Sequence, residues 1–158
     1  MITIATDGSC YPNPGPGGWA WVDEHGAYAS GAFALGTNNV GELTAILEAL
    51  RSHVDEDVEI QYDSEYAVKC VTIWGPGWRQ RGIMHEKKNH ELIAEIMDVV
   101  TLRDMRRRIT IWTKIKGHTG HQLNEAADLL AGRMTKLKTE HQEHGHVDLD
   151  TFDVSPHL

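Results

Sequence analysis

The chain has 158 residues, 41% of them hydrophobic, with two cysteines and a formal net charge of -8. That length suits one domain with a proper core and is short for two ordinary ones, and the well-separated Cys10 and Cys70 lack the spacing of a metal-binding or redox pair. Nothing approaches the ~18 consecutive apolar residues of a membrane span, and no basic segment precedes an apolar run at the N-terminus. A soluble, cytoplasmic protein with reduced structural thiols and no membrane partner is therefore expected.

In chain order, "ITIAT" (2–6), "GGWAWVD" (17–23) and "AYASGAFAL" (27–35) read as three strands joined by the "YPNPGPGG" and "EHG" turns, which predicts an antiparallel meander. "NNVGELTAILEALRSH" then switches to helical spacing through Leu43, Ile46, Leu47 and Leu50, with Asn38 or Asn39 available as cap. "DVEIQYD" predicts a fourth strand ending at Asp63, and "SEYAVKCVTIW" a short helix capped by Ser64 and stopped by the Gly/Pro stretch at 75–77. After the basic "WRQRG", "NHELIAEIMDVV" is a helix, "ITIWTKI" a fifth strand, and "KGHTGHQLNEAADLLA" a loop running into the last helix. Arg103, Arg106, Arg107 and Arg108 are expected on a solvated face. The pattern predicts an α/β fold with a five-stranded mixed sheet, three antiparallel meander strands plus two parallel strands, and helices on both faces. The predicted domain spans 1–138. The remainder, 139–158, is acidic, His-rich and aperiodic, which predicts disorder; His141, His144 and His146 then form no preorganised metal site.

Charge is unevenly distributed. Residues 1–63 hold ten acids and one Arg, 102–138 hold nine Lys/Arg against three acids, and the last twenty residues add five acids with no Lys or Arg. A negative total argues against a nucleic-acid partner, yet acids crowded in one half of a fold can mark a cation site beside a basic surface. The candidates are specific. Asp7 closes the first predicted strand and Asp63 the fourth, while Glu42 and Asp128 lie at the margins of the apolar stripes of two helices. A lone Asp at a stripe margin is ordinarily just half-solvated; four such acids are another matter if a right-handed crossover makes strands one and four neighbours. Gathered carboxylates repel one another and take up protons unless a cation neutralises them. All-oxygen ligation selects Mg²⁺, or Mn²⁺ as a substitute, over zinc, and two such ions can clamp the attacking and leaving oxygens of a phosphodiester. His118 would be a titratable group on the Gly-flanked loop before Asp128.

The stretches "TDGSCYPNPGPGGWAWV", "TNNVGELTAILEAL", "YDSEYAV" and "KGHTGHQLNEAADLLA" resemble, in order and spacing, the four motifs of ribonuclease HI, over about residues 1–138. The resemblance implies a ribonuclease H-like fold and an endonuclease that hydrolyses the RNA strand of RNA·DNA hybrids, leaving 5′-phosphate and 3′-hydroxyl ends. It further implies two Mg²⁺ ions on Asp7, Glu42, Asp63 and Asp128, His118 assisting proton transfer or product release, and no organic cofactor; a monomer is expected. By the same resemblance Cys10, Asn13, Asn38 and Asn39 line the minor groove, Thr37 and Asn89 hold a DNA-strand phosphate, and Trp74 and Trp78 belong to a DNA-strand channel. A Trp pair four apart by itself reads more readily as packing a helix end, but neighbouring Arg79, Arg81, Lys87 and Lys88 tilt the balance toward a binding face. Glu65 stands where many relatives carry Gln, and Leu35 at a position often basic, which implies weaker and more salt-sensitive binding. A catalytically silent hybrid-binding module and a DNA-directed nuclease of the same fold are the alternatives.

Overall fold

Strand β1 (Ile2–Cys10) alternates Ile4 toward one face and Ala5 toward the other, and both are fully buried, so the sheet needs a layer on each side. The computed structural model, which describes residues 1–116 and 121–151, supplies both layers. Helices α1 (Asn38–Ser52) and α4 (His90–Met105) close the main core, where Leu43, Ile46, Leu50, Ile93 and Ile96 pack with Ile4 and Ile60. On the opposite face α5 (Gln122–Thr135) sets Ala126, Ala127, Leu130 and Ala131 on Ala5, Ala20 and Val22. Small side chains here let the helix lie close to the sheet. Among the described residues no helix is long and apolar enough to cross a membrane.

The other strands are β2 (Gly15–Asp23), β3 (Ala27–Gly36), β4 (Val58–Tyr62), β5 (Thr110–Lys114) and β6 (His141–His146), in the spatial order β5-β4-β1-β2-β3-β6. The β1, β2 and β3 meander is antiparallel, and β4 pairs parallel to both β1 and β5. The α1 crossover does make β1 and β4 neighbours, with Ala5 opposite Gln61.

Several expectations need correcting. The sheet has six strands rather than five, because 141–146, expected to be disordered, pairs antiparallel with β3 from Ala27↔His146 to Ala32↔His141. Backbone groups make this pairing, so a strand whose six side chains are all exposed can form without apolar periodicity. Alternation puts His144 and His146 on one face and His141 on the other. The α1 cap is Thr37, whose Oγ1 accepts the Val40 N–H at 3.2 Å, and not Asn38 or Asn39. Gly75 and Pro76 do not stop the second helix: α2 (Glu65–Lys69) runs through a π-turn at Cys70–Trp74 into α3 (Gly75–Gln80). Pro76 lies just past the π-turn, in the first turn of α3, the part of a helix that tolerates proline. Arg103 is not on a solvated face. It is fully buried and donates to Thr110 Oγ1 (2.8 Å) and to the carbonyls of His53 (2.6 Å), Glu56 (2.6 Å) and Ile109 (3.0 Å), tying the ends of α1, α4 and β5 together.

Candidate active site

The acids are placed by strand register and by one close helix approach. Asp7 does not end β1; it lies within the strand opposite Ala20, two residues beyond the last β1–β4 pair, and Asp63 is two residues beyond the partner Gln61. Both therefore stand at the carboxyl end of the parallel pair, where β1 runs on past β4. Gly8 and Gly41 bring the third acid in: a Cβ on Gly8 would lie 2.3 Å from the Glu42 nitrogen, so only glycine lets the start of α1 touch β1. The Gly8 N–H then lies where it favours the ionised Glu42 carboxylate. Asp7 shares the Ala5 face that α5 covers, so Asp128, exposed on that helix, comes near enough to raise the Asp7 carboxyl, but it is not one of the three acids whose oxygens gather together.

Asp7, Glu42 and Asp63 each offer an oxygen within 4.8 Å of the others. Asp7 and Glu42 are only 5% and 8% exposed, so little water screens them. Burial pushes the Asp7 carboxyl up to about 11, and Glu42 and then the nearby Asp128 and Asp63 carboxylates add to it. Glu42 is pushed up to about 8, by burial first and Asp63 second, against the pull of the Gly8 N–H and the hydrogen bond from Asp7. Crowded oxygens with no His or Cys among them suit a hard cation, whose charge would let all of them ionise. Lys114 adds a positive charge at the rim, donating to the carbonyls of Asp63 and Ile115. His118 lies outside the described residues.

Beside the acids a cleft of about 520 Å³ is lined by Asn13, Thr37, Asn38, Asn39 and Asn89, five of the expected contact residues, together with Pro14, Tyr66 and Lys88. The Asn13 side-chain carbonyl accepts the Asn38 N–H at 3.2 Å and so joins the first turn to the start of α1. Asn89 has φ 60 at the start of α4 but makes no side-chain cap bond there, leaving its amide to the cleft. Cys10 departs from the group: it is buried, and its thiol faces the carbonyls of Pro12 (3.3 Å), Gly15 (3.4 Å) and Gly36 (3.4 Å), so it shapes the turn from beneath. Tyr66, Trp74 and Trp78 form an aromatic ledge, with ring centroids 5.6 Å and 6.5 Å apart in sequence. Trp78 also packs against the core, as the packing expectation for the pair has it, and carries Lys87 over its ring at 5.3 Å, while Trp74 is 37% exposed. Arg79 pairs with Asp98 at 3.1 Å, and Glu65 with Lys69 at 3.2 Å, which offsets the acid within its own helix turn. Tyr66 and Lys114 were not singled out in the sequence. Neither had a signal: Asp63 lies before the Ser64 cap, outside the helix that carries Tyr66, so helical spacing does not relate the two.

A mixed sheet with acids collected at the end of its central parallel strands, and a polar cleft beside them, defines an α/β enzyme built around an acidic centre. Comparison with known proteins makes the class specific. The RNase H family model matches residues 1–136. The ribonuclease H of Tropheryma whipplei (strain Twist) is 40% identical over 136 residues, covering 82% of this chain and 81% of its own, and that of Chromohalobacter salexigens is 42% identical over 138 residues, covering 85% and 84%. The crystal structure of LC9-RNase H1, a type 1 RNase H with the type 2 active-site motif, superposes with a TM-score of 0.76 at 25% identity, covering 94% of this chain and 78% of that one. The chain belongs to the ribonuclease H family and is an enzyme of that kind.

Proposed function

We propose that the protein is an endonuclease that cuts the RNA strand of RNA·DNA hybrids with two Mg²⁺ ions held by Asp7, Glu42, Asp63 and Asp128, leaving 5′-phosphate and 3′-hydroxyl ends. The observation that carries this reading is the set of three carboxylate oxygens, from Asp7, Glu42 and Asp63, within 4.8 Å of one another, with Asp128 near enough to raise the Asp7 carboxyl. The bound ions would supply an activated water and neutralise charge on the departing oxygen. The chain's own residues do the rest. Gly8 lets the start of α1 sit against β1 and so brings Glu42 to Asp7, and Lys114 fixes the backbone at Asp63, so the ligands are set before the substrate arrives. The amides of Asn13, Asn38 and Asn39 can both donate to and accept from a 2′-hydroxyl, the group that marks the RNA strand. Lys88 and Asn89, at the same cleft as Thr37, offer donors to a phosphate of the other strand, and the Tyr66, Trp74 and Trp78 ledge offers faces to its sugars. His118, by its match to the family loop, assists proton transfer or product release.

The test is a labelled DNA-RNA-DNA strand annealed to DNA, incubated with Mg²⁺ and either wild type or Asp7→Asn. Cuts confined to the ribonucleotides and lost in the variant are expected. Binding without cleavage by wild type would leave a silent hybrid-binding module, and equal cutting of all-DNA duplex a DNA-directed nuclease.

A further inference from the structure

Helix α5 carries Asp128, yet it begins poorly: the residue in the cap position, His121, has extended backbone and makes no side-chain cap bond. A first turn without a capping side chain is held less firmly. The chain beyond β6 meets this end of the helix. The Val147 N–H bonds the Gly26 carbonyl at 2.8 Å, and Gly26, at φ +90, leaves the strap room to pass, since a Cβ there would lie 2.1 Å from the Val147 oxygen. Val147 and Leu149 turn inward and pack, like Leu123 from the first turn of α5, on the cluster formed by Ala5, Ala126 and Leu130. Gln122, the first residue of α5, donates its side-chain amide to the Leu149 carbonyl. Asp148 and Asp150 face outward beside Gln122 in a common cleft with Glu24 and His25. Their charges lie at the positive end of the α5 dipole.

We propose that residues 147–149 are an external cap for α5, holding its first turn by apolar packing and by the Gln122 side-chain bond where His121 makes no capping bond, and that they thereby hold Asp128 in register with Asp7. The strap thus acts as a set of positioning residues for the metal site, and this role rests on the reading of Asp128 as a ligand. It lies outside the segment matched by the family, residues 1–136. A strand of exposed side chains then has a purpose: β6 delivers Val147 and Leu149 to the helix.

The experiment compares the full chain with the double variant Val147→Ser/Leu149→Ser, alone and combined with His121→Ser, which supplies a side-chain cap where the backbone is already extended. Two quantities are read well below the melting temperature: hydrogen exchange at the amides of the first turn of α5, without metal, and the Mg²⁺ concentration giving half of the metal-induced protection at Asp7 and Asp63. Exchange in the double variant is expected to rise tenfold or more and the Mg²⁺ midpoint threefold or more, with His121→Ser restoring both. Unchanged exchange overturns the proposal. Faster exchange with an unchanged Mg²⁺ midpoint also overturns it, because the strap would then be a stability device only. If Mg²⁺ protects nothing in the intact chain, the metal reading falls and takes the positioning role with it; the metal-free exchange data keep that failure distinct from failure of the cap.

Discussion

Replacing Asp7 by Asn keeps the side-chain shape and removes the charge, and in the absence of metal it should make the protein more stable. Asp7 is 5% exposed and its carboxyl is pushed from 3.8 up to about 11, so the folded state holds a proton that the unfolded chain releases near pH 4. For an acid whose folded value is raised, the stability is fully present below 3.8 and is lost as pH climbs toward 11. At pH 7 about three pH units have been crossed, at about 1.4 kcal/mol each, which sets a ceiling of about 4 kcal/mol. Local relaxation and water entry lower this, and about 2 kcal/mol is expected. For a domain of this size that is roughly 4 to 8 °C in melting temperature. Thermal unfolding followed by circular dichroism, with chelator, from pH 4 to 8.5 is the assay. The variant should match wild type near pH 4 and exceed it increasingly toward pH 8, and saturating Mg²⁺ should raise the wild type and close the gap. A variant that melts at or below wild type at pH 8 with chelator, or a gap that does not change with pH, would refute the electrostatic account of the site.

Three other perturbations probe how the site is carried. Gly8→Ala puts a Cβ 2.3 Å from the Glu42 nitrogen, so α1 must retreat; single-turnover cleavage should slow at least tenfold while circular dichroism shows the fold retained. Trp74→Ala should weaken hybrid binding by about 1–3 kcal/mol with little change in melting temperature, whereas Trp78→Ala should cost both, because only Trp78 packs on the core; fluorescence anisotropy and a melt separate them. His53→Ala removes a buried ring that meets Ala49 O at 2.7 Å and Asp23 Oδ2 at 3.1 Å, leaving the carboxylate short of a partner; the urea midpoint should fall by the equivalent of about 2–4 kcal/mol.

What could be read in the sequence follows from what each residue has to do. Asp7, Glu42, Asp63 and Asp128 stood out because an acid at a strand end or stripe margin conflicts with its apolar neighbours, and a conflict leaves a pattern. The meeting of Asp7, Glu42 and Asp63 was also legible, through the crossover rule that makes β1 and β4 adjacent, and the register of Ala5 on Gln61 then sets Asp7 against Asp63. Arg103 left no such trace: four arginines within six residues describe a wet surface, and only the meeting of α1, α4 and β5 turns one of them into a buried anchor. The Gly75-Pro76 pair misled for a related reason, since the rule against proline in a helix spares the first turn, and Pro76 falls in the first turn of α3 just past the π-turn. The tail misled most, and for the most general reason. Periodicity detects strands that bury a face, but β6 is an edge strand recruited by the unpaired backbone of β3, and the residues that explain it, Val147 and Leu149, lie after it. An element fixed by its partner's hydrogen bonds rather than by its own side chains is invisible to any reading of hydrophobic pattern, so the same composition on a chain whose β3 edge was already covered should stay unstructured.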